Sequence, residues 1–172
     1  MTNIVLQREI QTIHVFDIAT EVWFAQPTTA QAERYPTSMA SFCSVVASAG
    51  DNSSHNIYIY GGADSIQNFG RNEVFILTLP AFHWVLVYPS ADDAYIDTRQ
   101  TFAHRCEKVH EKHMVAYRGY NINNRCDYDK GLNKPQGMAI FDMSSLKWTT
   151  EVELERSKYL VPEKLYEIIG GK

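Results

Sequence analysis

Short apolar runs set off by polar, glycine or proline breaks make up most of the chain. Residues 13–17 (IHVFD) open the series, and Val22, Trp23 and Phe24 start a second run after a turn at 18–21. Residues 40–48 (ASFCSVVAS) carry small side chains suited to a crowded, buried place. Residues 56–60 (NIYIY), 73–79 and 83–88 follow, and a matching set recurs at 101–109, 113–117, 137–142 and 146–151. Runs this short, rich in β-branched and aromatic residues, predict strands. Only the tail changes period. Leu165, Ile168 and Ile169 fall at helical spacing after Pro162, and Gly170-Gly171 would stop a helix there.

The runs repeat as a unit. In residues 56–84 a strand ends at Gly61-Gly62, a polar loop follows, and then two apolar runs are joined by a tight turn, the second opening at Trp84. Glycine pairs there permit backbone angles closed to other residues. Trp23, Trp84 and Trp148 recur about sixty residues apart. Asp17 precedes Trp23 by the same offset as Asp142 precedes Trp148, whereas Thr78 takes that place before Trp84. Strand, double glycine, loop, strand, turn and tryptophan is the order of a kelch blade, and the stretch resembles the kelch repeat. The fold expected is all-β: a partial kelch-type β-propeller of about two and a half to three four-stranded antiparallel blades, with a short C-terminal helix. Residues 13–35 would be the outer strands of a first blade, 36–90 and 91–158 two further blades, and 159–172 a tail with the helix. Propellers use about four to eight blades, so such an arc cannot close a ring. The remaining blades are expected in cis, the chain being a fragment of a longer product, or from another copy in trans.

FCSVVASAGDNSSHNIYIYGG, VFILTLPAFHWV, MAIFDMSSLKW and VPEKLYEIIGGK look like the kelch-repeat proteins of filamentous fungi. That resemblance implies a propeller outside the cell, in a parent protein anchored to the membrane or wall. No signal peptide and no membrane-spanning run is read in this chain itself. It also implies a disulfide between Cys106 and Cys126, closing a loop of roughly 20 residues and contributing about 3 kcal/mol in an oxidising compartment. Arg118-Gly119 stands where the glycine pair is usual, a departure expected to distort that blade.

The 172 residues are 45% hydrophobic and 21% charged, a globular balance. A net charge of -4 supplies no basic field for nucleic acid or an anionic membrane. Cys43, Cys106 and Cys126 leave one thiol over whichever pair forms. Cys43, in an apolar strand, reads as a buried, inert thiol.

Asn52-Ser53-Ser54 is a glycosylation sequon in an expected surface turn. His104, Cys106, His110 and His113 crowd one region, but they lack the C-x2-C or H-x3-H spacing of a zinc site. They read as structural polar contacts, so neither a metal nor a cofactor is expected. No nucleophile elbow, phosphate loop or H-E-x-x-H occurs, and no catalytic residue is assigned. Galactose oxidase shares the kelch-type propeller, and a fragment of such a copper oxidase is the alternative reading. The favoured one is a non-enzymatic module binding a protein or a glycan through long rim loops. The candidates are 63–72, with Phe69 and Arg71, and 120–136, with Arg125, Tyr128 and Lys134, because aromatic and arginine side chains anchor interfaces.

Overall fold

A computed structural model describes residues 10–37, 39–64, 70–90, 101–117, 119–121, 138–152 and 157–170. The strands are β1 (Thr12–Asp17), β2 (Val22–Pro27), β3 (Thr29–Ala30), β4 (Met39–Ala40), β5 (Cys43–Ser48), β6 (His55–Tyr60), β7 (Ala63–Asp64), β8 (Val74–Leu79) and β9 (His83–Tyr88). They continue with β10 (Thr101–Phe102), β11 (Arg105–Val109), β12 (His113–Tyr117), β13 (Tyr120–Asn121), β14 (Met138–Asp142) and β15 (Lys147–Thr149), and the chain then forms helix α1 (Glu163–Ile169).

Three antiparallel meanders follow one another. β1 and β2 form a hairpin by themselves, β5-β6-β8-β9 form a sheet of consecutive antiparallel neighbours, and β11-β12-β14-β15 form another. The protein is thus all-β with one short C-terminal helix, as part of a propeller would be. The described residues do not close a ring. β3 joins the second sheet outside β9, paired parallel through Thr29 with His83 and Ala30 with Trp84. Residues 27–36 carry no apolar run, yet they hold this strand and a 3-10 turn, Gln31–Glu33.

Strand alternation sorts the core into two layers. From β6, β8 and β9 one face sends Tyr58, Tyr60, Val74, Ile76, Val85 and Val87 toward the third sheet, where Met114, Ala116 and Phe141 meet them. The other face sends Ile59, Phe75, Leu77, Trp84 and Leu86 toward Ile10, Ile13 and Ala30. Helix α1 caps the first layer. Leu165 is fully buried in it, and Lys164 Nζ donates to the Leu86 carbonyl at 3.4 Å.

The repeated Asp and Trp have separate jobs in each outer hairpin. Asp142 Oδ1 accepts the amides of Ser144 (2.8 Å) and Ser145 (3.1 Å), and Asp17 Oδ1 accepts those of Ala19 (2.8 Å) and Thr20 (3.3 Å). Each aspartate therefore folds the turn that brings its tryptophan back beside its cross-strand partner, Phe16 facing Trp23 and Phe141 facing Trp148; Leu77 faces Trp84 in the hairpin where Thr78 replaces the aspartate.

Runs 40–48 and 101–109 are each broken where one strand was expected. Ser41 (φ 58°) and Ala103 (φ 56°) turn the chain, dividing β4 from β5 and β10 from β11. The short pieces pair with β7 and β13, directly after the glycine positions. Gly62 (φ 101°) lies where an added Cβ would meet the Ala40 carbonyl and the Phe42 Cβ, both at 3.1 Å. Gly119 (φ 120°) stands against His104 in the same way, at 2.9 Å from its Cβ. Glycine is required at both by close approach as well as by backbone angle. Arg118 lies outside the described residues.

Candidate functional site

Two places carry chemistry. The first is the seam between the second and third sheets. β5 and β11 are the facing edge strands of those sheets, and the Ala103 amide bonds the Ser41 carbonyl at 2.9 Å where both chains bend. This closeness brings the Cα atoms of Cys43 and Cys106 to 5.4 Å, and their sulfurs form a disulfide. The pairing expected from the resemblance, Cys106 with Cys126, is therefore corrected. Cys106 is joined to Cys43 from the neighbouring blade, and Cys126 lies outside the described residues. Cys43 is buried as read, but it is a half-cystine and not an inert thiol. The bond closes a separation of 63 residues and staples two blades at their inner edges.

Beside it, His104 is 5% exposed. Its Nε2 bonds the Tyr60 carbonyl at 3.1 Å, and its ring lies on the Tyr60 ring at 4.7 Å. Burial pulls its pKa below the ordinary histidine value, opposed in part by the bond to Tyr60. Of the four-residue cluster singled out in the sequence, only His104 and Cys106 meet here, joined by Cys43 in place of His110 and His113. His113 is buried at the start of β12, and His110 sits in the turn before it with φ 52°.

Deeper in the same seam, the Tyr58 hydroxyl donates to the Met143 carbonyl at 2.7 Å and lies 3.0 Å from the Tyr159 hydroxyl. Asn56 Nδ2 donates to that second hydroxyl at 3.1 Å. Burial, with Tyr159 close by, raises the Tyr58 pKa well above its ordinary value. Burial pushes Tyr159 up to about 12. Both phenols are neutral at any physiological pH and act as hydrogen-bonding clamps between blades and tail. Trp148 completes the seam, with ring centroids 4.9 Å from Tyr60, 5.9 Å from Tyr88 and 5.0 Å from Phe141.

The second place is an open, polar cleft of about 260 Å³ lined by Glu33, Arg34, Tyr35, Thr37, Arg71, Glu73 and Phe75. A neighbouring hollow of about 530 Å³ shares Glu33 and Tyr35 and reaches Thr12 and Thr28. Ala32 (φ 49°) and Glu33 (φ 57°) hold the wall in left-handed backbone. Arg71 Nη1 pairs with Glu73 Oε2 at 3.2 Å, and the Arg71 amide bonds the Gly62 carbonyl at 2.8 Å. Of the rim-loop candidates, Arg71 thus stands in a cleft. Phe69, Arg125, Tyr128 and Lys134 lie outside the described residues. Sequence reading missed Glu33, Arg34 and Tyr35. Their only signal was polarity in a presumed connection. Asn52 is exposed in the β5–β6 turn with φ 59°, a conformation asparagine tolerates.

No protein-family model matches the chain. It is 29% identical over 146 residues to a kelch repeat-containing protein of Arthroderma benhamiae, an alignment that takes in 83% of this chain. The chain spans 20% of that relative's length. With the meandering sheets and their recurring glycines and tryptophans, this similarity supports a kelch-repeat protein, in the form of part of a propeller. Among the described residues no helix is long and apolar enough to cross a membrane.

Proposed function

We propose that this chain is a non-catalytic binding and scaffolding module, one arc of a larger propeller displayed outside the cell. The observation that carries the reading is the outward face of the β1–β2 hairpin. Phe16 (42% exposed) and Trp23 (64%) lie in solvent on one face of a two-stranded sheet. In the other two hairpins the matching tryptophan packs against the preceding sheet or the segment before it. An uncovered wedge of this kind fits a further blade, in cis or from another copy, and an isolated hairpin is marginal in water. The inter-blade disulfide supports an oxidising location. Both sulfurs near His104 are bonded to each other, so neither serves a tyrosine–cysteine cross-link of the galactose-oxidase kind.

The ligand-binding part of the reading rests on the cleft around Arg71. Paired charges beside the Tyr35 and Phe75 rings suit a polar protein segment or a glycan. Screening the chain against glycan and peptide arrays, with Arg71→Ala as control, tests this. Binding that falls about tenfold or more in the variant supports it, and binding indifferent to Arg71 removes the cleft from the reading. Surface labelling of intact cells tests the location. Protection of the sequon turn from an impermeant reagent would count against display outside the cell.

A further inference from the structure

Cys43, His104 and Cys106 bring one imidazole nitrogen and two sulfurs within 4.8 Å of one another. They come from separate parts of the fold. Cys43 begins β5, Cys106 lies in β11, and His104 sits in the bend just before β11. Cys43 and His104 are 7% and 5% exposed, while Cys106 is half-buried. The His104 ring is fixed by the Tyr60 ring beneath it, by its bond to the Tyr60 carbonyl and by Gly119, which leaves no room behind its Cβ.

A carbonyl only accepts, so Nε2 carries the proton and Nδ1 keeps a lone pair. Nδ1 is buried and has no hydrogen-bond partner among the described residues. A buried acceptor left in this state costs about 1–3 kcal/mol, and it calls for an explanation. A neutral imidazole whose N–H is held by a carbonyl is how metal-binding histidines are oriented. Two cysteine sulfurs and one such nitrogen make a Cys2His donor set, which zinc uses with a fourth position left open.

We propose that, in the reduced protein, Cys43, Cys106 and His104 form a binding site for one thiophilic divalent cation of the zinc type. Disulfide and metal are alternative states of the same atoms. Two small thiols, or one dithiol, supply two electrons and two protons. Their own sulfurs become a disulfide, the Cys43–Cys106 bond breaks, and two thiols remain. The cation then takes both thiolates and His104 Nδ1, and the two thiol protons pass to solvent. Each sulfur settles about 2.3 Å from the metal, so the two stand roughly 3.7 Å apart, reached by rotation about the Cα–Cβ bonds. The exposed side of Cys106 admits water as the fourth ligand. The blades stay stapled in both states, by a covalent bond in one and a coordinated ion in the other. This inference does not depend on what the Arg71 cleft binds.

The test uses the full chain, reduced anaerobically with a phosphine, freed of reductant and titrated with Co2+ and then Zn2+. The expected result is one Co2+ per chain with thiolate-to-metal charge-transfer absorption, displaced by Zn2+. Zn2+ should also protect both thiols from alkylation. His104→Ala should weaken Zn2+ binding about tenfold or more. His110→Ala should leave it unchanged. Cys43→Ser should abolish the charge-transfer pattern of a two-sulfur site. The disulfide-bonded chain, with the same fold, should take up no metal here. The proposal is overturned if the reduced, folded chain binds no stoichiometric metal, or if binding ignores His104→Ala. It is equally overturned if reduction unfolds the chain and Zn2+ does not restore the fold, because a site of this kind couples binding to folding.

Discussion

Trp148 and Trp23 occupy the same place in the repeat and live in opposite surroundings. Each sits on the last strand of an outer hairpin, opposite a phenylalanine, after a turn tied by an aspartate. Trp148 is packed among Tyr60, Tyr88 and Phe141, and its Phe141 partner is fully buried. Trp23 touches Phe16 at 5.0 Å and is otherwise 64% exposed. Trp84, between them in the chain, is 1% exposed and donates Nε1–H to the Ile10 carbonyl at 3.1 Å. Trp148 and Trp84 pack against what precedes their own sheets, and the described residues supply no such neighbour to Trp23. The difference teaches that burial of the repeated tryptophan is set by what packs on its sheet and not by the hairpin that carries it.

The strongest way to break this comparison is truncation. Trp148→Ala and Trp84→Ala should each cost about 3–5 kcal/mol, read as a shift in urea midpoint, because each empties a packed inter-blade site. Equal losses at Trp23 would show that the tryptophans act within their sheets. Next comes the hydroxyl clamp. Tyr58→Phe leaves the Met143 carbonyl and the Tyr159 hydroxyl short of a partner and should cost about 1–3 kcal/mol. A loss below measurement would mean the seam is held by packing alone.

The paired aspartates sharpen the comparison through pH. Burial pushes the Asp142 carboxyl up, but the amides of Ser145 and Ser144 and the Lys112 ammonium at 3.2 Å outweigh it, and its pKa lies below the usual value. A carboxyl lowered on folding contributes stability above its unfolded pKa and loses it as pH falls through the folded one. Asp142→Asn should therefore cost about 1 kcal/mol at neutral pH and flatten the loss of stability below about pH 4. Asp17, held by the amides of Ala19 and Thr20 and the Thr20 side chain with no cation among these partners, should show a weaker acid dependence on the same melting curves. The smallest effect belongs to Trp23→Ser. Its stability should change by no more than about 0.5 kcal/mol. The substitution should lower self-association or capture of further blades, followed by sedimentation. Unchanged association would take the hairpin face out of the docking role.

Much of this architecture is legible in the chain. Alternation within short runs, the Gly61-Gly62 break and the tryptophan spacing name the strands, their order and the likeness to a kelch blade, because they are local demands of pleat, turn and burial. The C-terminal helix is legible for the same reason, through the spacing of Leu165 and Ile168. The breaks at Ser41 and Ala103 are not, since neither residue type advertises a positive φ. They follow from the fit of β4 and β10 against the strands after the glycines. The small strand β3 is hidden because a two-residue parallel pairing leaves no pattern.

The candidate sites divide along the same line. Residue types alone marked Arg71 as an interface side chain and His104 as a structural polar contact. Only the tertiary structure sets Cys43 beside Cys106, because the pairing is decided by the distance between two sheets 63 residues apart in sequence. Only it, among the described residues, leaves Nδ1 of His104 without a hydrogen-bond partner and Trp23 with no other sheet packed on it. Periodicity reports which side of a strand is apolar. What comes to lie against that side is settled when the wedges pack, through contacts that no stretch of the chain contains by itself.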